Sequence, residues 1–268
     1  MAHRYLDIAD DLRQRLSSGE FPVGTKLPGM NQLAVHYGAH NDEVHEAVIA
    51  LELEGRVATR SRSGTIVLPG DAELHQLDLG VGVSRNDLGY VFPKPAGHWP
   101  GLPGTYRREW LGCPVEIAEL LDITEDEQVL CRSVVVGPGW PMQLTRRYFP
   151  QDLAAGTILE AEDTGPGGVL DRLEQDLNHG PLDWSDTFVA RMPTAEEATA
   201  LTISPRLPVM VTFRTHTSPA GRVVAADEIV RDARRFKITV PVHREPSAHW
   251  PVQPVTGRNT AYEKPTRH

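Results

Sequence analysis

The sequence predicts an α+β fold: a small N-terminal unit of three helices and a β-hairpin, then a larger domain of helices set among hairpin-linked strands. Three observations predict it. Apolar residues recur at helical spacing in three short runs before residue 55 and alternate at strand spacing just after it. The texture changes at Pro69-Gly70, where a stretch rich in Gly, Asp and Pro begins. Beyond residue 128, alternating runs return in pairs across turn residues, with helical patterns between them.

The first helix is read from Ile8, Leu12 and Leu16, with Tyr5 and Ala9 on the same face, and Ser17-Ser-Gly19 stops it. Pro22, Gly24 and Pro28 mark a turn-rich link. Leu33, Ala34 and Tyr37 give a second, very short helix, which Gly38 ends in a left-handed turn. His40 or Asn41 opens a third helix that buries Val44, Ala47, Val48 and Leu51, and Gly55 closes it. Val57–Arg60 and Thr65–Leu68 then alternate as two strands, with Ser63-Gly64 near the turn. This is the layout of a winged helix-turn-helix over residues 1–70, a module that lays a helix in the major groove of DNA.

Residues 71–100 read as a linker or irregular lead-in to a second domain over 101–245. Ile117, Leu120 and Leu121 lie on a helix; 128–136 is a strand, and 142–149 is its hairpin partner across Gly137-Pro-Gly. Thr164-Gly-Pro-Gly-Gly168 opens a helix over 169–177. A strand over 184–192, a helix over 194–201 and strands over 209–217 and 222–230 follow. That succession suggests an antiparallel sheet. From 246 to 268 no apolar period persists, so a mobile tail is expected.

Bulk properties narrow the function. The chain has 268 residues and is 40% hydrophobic, enough to bury a sizeable core. No apolar run approaches membrane-spanning length and the N-terminus lacks a secretory signal, so no membrane role is expected and a cytoplasmic setting is. Cys113 and Cys131 have no paired-ligand spacing and read as buried small hydrophobes. No metal set, no cofactor fingerprint and no catalytic constellation emerges: Leu79-Gly-Val-Gly82 lacks the third glycine of a dinucleotide site, and no serine sits in a nucleophile elbow. The charge balance works against nucleic acid. Net charge is -9, and residues 1–70 hold nine acidic side chains against seven basic ones, whereas phosphate favours a positive surface.

With these residues in view, the chain resembles the GntR superfamily of bacterial transcription regulators, in its HutC-like branch. The N-terminal likeness rests on Leu12-Arg13, Pro22, Leu27-Pro28, Leu33-Ala34, Tyr37-Gly38, Val44, Ala47, Leu51, Gly55 and Gly64-Thr65. The C-terminal half looks like the UTRA effector-binding domain of that branch, whose fold is similar to chorismate lyase. Pro114-Val-Glu-Ile-Ala, Leu130-Cys-Arg132, Tyr148-Phe-Pro150, Thr164–Gly168 and Met192–Ala198 carry that part. The resemblance implies a repressor acting as a homodimer on a double-stranded operator, with affinity controlled by a small-molecule effector, and no enzyme. The alternative reading is a lyase-like enzyme or small-molecule binder that keeps a degenerate helix-turn-helix. Departures fall on the reading residues: relatives carry Ser-Glu-Arg where Gly29-Met30-Asn31 stands, and arginines where Asn41 and His45 stand.

Candidate DNA contacts are therefore Asn31, Gln32, His40, Asn41, Asp42, Glu43 and His45 at the two helix starts, with Arg60, Arg62, Ser63 and Gly64 in the wing. Asn can bond adenine bidentately, Asp and Glu can accept from cytosine, and wing arginines can enter the minor groove. Candidate effector contacts are Arg132 and Arg146, Thr164, Gly165, Gly167 and Gly168, and Arg214 and Glu228. Arginines can clamp a carboxylate or phosphate, which makes an anionic effector the natural class, and the glycine run would offer backbone N–H groups. Arg214 fits a surface strand position as well as a ligand contact. Relatives often place Tyr where Leu170 stands and Glu where Ala225 stands, so two polar ligand contacts are absent.

Overall fold

A computed structural model describes residues 4–60, 64–69, 75–78, 82–86, 89–92 and 99–244. The N-terminal unit is α1 (Arg4–Ser17), α2 (Met30–Tyr37), α3 (Asn41–Leu53), β1 (Val57–Arg60) and β2 (Gly64–Val67). Its core is the predicted one: Ile8, Ala9 and Leu12 from α1, Leu33 from α2 and Val44, Ala47, Val48 and Leu51 from α3 close on one another. Gly38 ends α2 in the left-handed region at φ 56°, and the Arg4 guanidinium donates to the carbonyls of Tyr37 and Gly38 at 2.9 and 2.7 Å. A cation at a helix C-terminus satisfies orphan carbonyls and meets the dipole's negative end. The hairpin pairs Arg60 with Gly64, and Leu27 N–H adds a bond to Thr65 O.

The connecting stretch is more ordered than its composition suggests. Its described parts form β3 (His75–Asp78) and a hairpin of β4 (Ser84–Asn86) and β5 (Gly89–Val91). The second domain then runs β6 (Arg107–Gly112), α4 (Val115–Leu121), β7 (Gln128–Val136), β8 (Gln143–Pro150), α5 (Gln151–Ala154), α6 (Gly168–Asp171), β9 (Asp183–Arg191), α7 (Ala195–Leu201), β10 (Val209–Thr217), β11 (Val223–Asp232) and β12 (Phe236–Thr239). Six of these strands make one antiparallel sheet in the order β6-β7-β8-β11-β10-β9. The predicted helix over 169–177 is instead α6 followed by a widened turn over Arg172–Asp176. Strands β6 and β12 were not expected from the sequence. The C-terminal stretch read as a mobile tail, 246–268, lies outside the described residues.

Side chains on the two sheet faces separate cleanly. α4 and α7 cover one face, packing Ile117, Ala118 and Leu121 on Val129, Cys131 and Tyr148, and Leu201 and Ile203 on Val209, Val211 and Val230. The opposite face meets α5, α6 and the β4-β5 hairpin through Leu130, Phe149, Leu159, Leu173 and Trp184, with Tyr90 and Phe92 against them. Gly89 is required where it stands: a Cβ there would lie 2.6 Å from the Gly167 carbonyl.

The end of β11 ties the units together. Asp232, buried, accepts from Arg234 Nη2 at 2.7 Å, and Arg234 Nη1 donates to Glu54 O, at the C-terminus of α3, at 2.9 Å. Arg235 reaches Pro69 O at 3.2 Å, Arg206 stands 3.7 Å from Glu52, and β12 pairs in parallel with β3.

Candidate nucleic-acid interface and candidate effector pocket

The start of α3 and the start of α2 form the surface a groove would meet. Asn31, Gln32, His40, Asn41, Asp42 and His45 are exposed there, beside the half-buried Glu43. Two of these residues are occupied by their own helices. Gln32 Oε1 accepts from Gly29 N–H at 3.0 Å and Glu43 Oε2 from His40 N–H at 2.8 Å, each the reciprocal half of a capping box. Asn41 Nδ2 donates to Asn31 Oδ1 at 3.0 Å, so the two amides on adjacent helices hold each other. In the wing, Gly64 takes φ 81° as the turn demands. Arg62, Ser63 and the side chain of Arg60 fall outside the described residues.

Basic residues elsewhere in the unit are spent internally. Arg4 caps α2, Arg13 pairs with Asp10 and Glu54, Arg15 binds Glu20, and Arg56 lies 3.5 Å from Glu54. Among the described basic side chains of the unit, Lys26 is the one not held in such a contact.

On the effector-domain face opposite α4 and α7, directly opposed cross-strand partners share a side of the sheet. The register therefore places one row across all six strands: Arg108, Arg132, Arg147, Asp227, Arg214 and Asp186. Four of these six residues neutralise one another in pairs. Arg147 grips Asp227, with Nη2 2.6 Å from Oδ2, and Arg214 grips Asp186 through two bonds of 2.6 Å while stacking 4.0 Å from the Phe92 ring. Burial works to raise the Asp227 carboxyl, but the Arg147 charge outweighs it and holds Asp227 well below the usual carboxylate range. His216, fully buried, accepts from Trp184 Nε1 on Nδ1 at 3.0 Å, which leaves its proton on Nε2. That Nε2 lies 3.2 Å from Asp227 Oδ1, off the line a good hydrogen bond needs. Burial keeps the ring neutral by lowering its pKa.

The remaining two, Arg108 and Arg132, form no ion pair among the described residues. Arg132 donates to three carbonyls, those of Leu159, Ala161 and Glu162, at 2.6–2.9 Å, and to no carboxylate. Burial, then the neighbouring Arg108 and Arg147, lowers its pKa, with the Asp163 charge working the other way. A cavity of about 570 Å³ opens over these residues, lined among others by Tyr106, Arg107, Arg108, Arg132, Arg147 and Glu162.

The structure regroups the predicted effector residues. Arg132 lines the cavity and Arg214 lies farther along its row. Arg146 and Glu228 are corrected: they sit on the opposite face, because Arg146 alternates with Arg147 along β8, and they form a cluster with Arg191 and Glu197 under α7. The glycine run is used locally. Gly165 N–H donates to Asp163 at 2.8 Å, Gly168 N–H to Gly165 O, and a Cβ on Gly167 would stand 1.9 Å from the Asp171 carboxylate. Thr164 is buried. Leu170 and Ala225 are buried in the apolar cluster, so the space where relatives place polar contacts is filled. Missed from the sequence were Tyr106, Arg107 and Arg108, which only an edge strand paired with 128–136 would have revealed. Both cysteines are free and buried, their thiols pushed up to about 11 for Cys113 and about 12 for Cys131 by burial. Among the described residues no helix is long and apolar enough to cross a membrane.

Comparison with known proteins agrees with this geometry. Residues 4–67 match the family described as bacterial regulatory proteins, gntR family, and residues 106–237 match the UTRA domain. An HTH-type transcriptional regulator of Streptomyces coelicolor is 25% identical over 254 residues, covering 88% of this chain and 91% of its own. One from Rhizobium meliloti is 27% identical over 239 residues, covering 87% and 92%. The Exu regulon transcriptional regulator of Escherichia coli is 39% identical over 64 residues, 24% of this chain and 25% of that one. A solved GntR-family transcriptional regulator superposes with a TM-score of 0.54 at 26% identity, over 90% of this chain and 98% of the other. With a gntR reading head, a UTRA domain after it and relatives matched along nearly their whole length, the chain belongs to the GntR family of bacterial transcription regulators and is a DNA-binding regulator, not an enzyme.

Proposed function

We propose that the protein is a homodimeric repressor whose operator affinity is set by a small anionic effector bound in the cavity over β6, β7 and β8. The observation that carries the effector class is the pairing of Arg108 with Arg132 in the cavity lining, where among the described residues neither guanidinium is held in an ion pair. Arg132 is half-buried beside the exposed Arg108, and an incoming carboxylate or phosphate would relieve the repulsion between the two while accepting charge-assisted bonds. The apolar filling around Leu170 and Ala225 moves the ligand toward the β6 edge. Two reading heads on one near-palindrome supply the contact area that one net-acidic head lacks. Occupation of the cavity changes operator affinity only through a difference in ligand binding between arrangements of the heads.

Thermal-shift screening of carboxylates and phosphate esters against the whole chain tests the pocket. Stabilising ligands are expected to be anions, and Arg132→Ala is expected to abolish their effect. Stabilisation by neutral or cationic compounds that survives Arg132→Ala would remove the anionic assignment. Regulation is tested by anisotropy on the DNA upstream of the protein's own coding sequence, with and without the ligand found.

A further inference from the structure

Asn31 and Asn41 are the second residue of α2 and the first of α3, both exposed, and they are joined amide to amide at 3.0 Å. A free carboxamide rotates about its last bond and offers a mixture of donor and acceptor edges. Here Asn41 Nδ2 donates to Asn31 Oδ1, the orientation that turns Asn41 Oδ1 away from Asn31. Two neighbours are engaged elsewhere, Gln32 and Glu43 at their own helix starts. We infer that Asn31 and Asn41 form a two-residue adenine reader: Asn41 contacts the base, and Asn31, holding the N–H remote from Asn41 Oδ1, is a positioning residue.

The chemistry distinguishes the bases. With that N–H held, Asn41 presents Oδ1 and its second N–H side by side. Adenine offers the complement in the major groove, an N6 donor beside the N7 acceptor. Guanine offers O6 and N7, two acceptors, so its O6 would face the Asn41 oxygen. Arginine at either position would donate to both guanine acceptors, so the exchange of guanidinium for paired amides redirects the half-site from guanine to adenine. The inference rests on the DNA-binding reading of the N-terminal unit.

The test is selection of a random-sequence duplex pool by the whole chain, followed by affinities for the selected site and its single-base variants. The wild type is expected to fix an adenine in each half-site, with replacement by guanine weakening binding by roughly 5- to 100-fold. Asn41→Ala flattens that position. Asn31→Ala reduces the preference to a few-fold and leaves the rest of the site unchanged. Asn31→Asp keeps the acceptor for Asn41 and so keeps the adenine preference, while its charge lowers affinity for every sequence alike. Adenine preference surviving Asn41→Ala, or Asn31→Ala discriminating like the wild type, overturns the inference. So does loss of preference in Asn31→Asp equal to that in Asn31→Ala. A wild-type protein that enriches no site overturns the DNA-binding reading itself, a separate and recognisable failure.

Discussion

Replacing Asp227 by Asn removes one charge from the middle of the six-strand row and leaves its volume in place. Asp227 is 1% exposed and is gripped by Arg147, whose Nη2 stands 2.6 Å from Oδ2. In the variant the amide can still accept at one atom, but its NH2 faces an Arg147 N–H, and the guanidinium keeps its charge without a counter-ion. Breaking one partner of a buried pair costs about 3–5 kcal/mol. Arg147 borders the cavity and is 18% exposed, so some rehydration is open to it and the low end, about 3 kcal/mol, applies. For a domain of this size that is a fall in melting temperature of roughly 6–12 °C. Adding Arg147→Met removes the stranded charge, and the double variant is expected to recover most of the loss. Urea and thermal melts of the three proteins decide it. A single variant that loses less than about 1 kcal/mol, or a double variant no more stable than the single, refutes the argument that this pair is a desolvated, mutually dependent couple.

The cluster under α7 makes stability acid-sensitive. Burial tends to raise the Glu197 carboxyl, but Arg191, the Thr194 N–H and Arg146 outweigh it and hold it at about 2, below its ordinary value. A depressed carboxylate contributes fully above its unfolded pKa and loses that contribution as pH falls towards its folded one, so about 2 kcal/mol should disappear between pH 6 and pH 3 in urea titrations. Glu197→Gln should show a correspondingly flatter acid limb; equal slopes would sink the assignment. Gly55→Ala should destabilise the chain by roughly 1–2 kcal/mol, because φ is 68° and the new Cβ would stand 1.3 Å from Arg234 Nη1. Arg234→Ala added to it should cost little more, since both changes break one contact, and fully additive losses would show that the contact is not shared. Finally, with Lys26, Arg60 and Arg62 taken as the phosphate contacts of each head, a two-headed complex should give a slope of log K against log salt of about -5 at pH 8. A slope twice as steep would mean that Arg4, Arg13, Arg15 and Arg56 leave their internal partners on binding.

Much of the fold was legible because its signals are local. The α3 core positions follow from a 3.6-residue period, and Gly38 announces its left-handed turn. Strand β7 was legible in full, since an apolar run of β-branched residues ends at Gly137. The edge strand β6 was not, because Arg107–Gly112 is exposed along nearly its whole length and shows no apolar alternation. Strand β12 pairs with β3 from the far side of the sequence, a contact no local pattern announces. The site suffered most from one-residue alternation. Arg146 and Arg147 are neighbours in sequence and opposites in space, and without the register nothing in the sequence says which one faces the cavity. Arg132 lines the cavity from a strand whose bounds were legible.

Strand β3 returns to lie beside β12, and Arg234 reaches from just before β12 to the carbonyl that ends α3. The stretch joining the two units is thus hydrogen-bonded into the unit it leads to. A hybrid regulator made by splicing residues 1–69 onto another effector domain would lose the cation on Glu54 O and the donor on Pro69 O together. Swapping specificities between relatives therefore calls for a graft with two cuts, one that carries residues 232–239 along with the head.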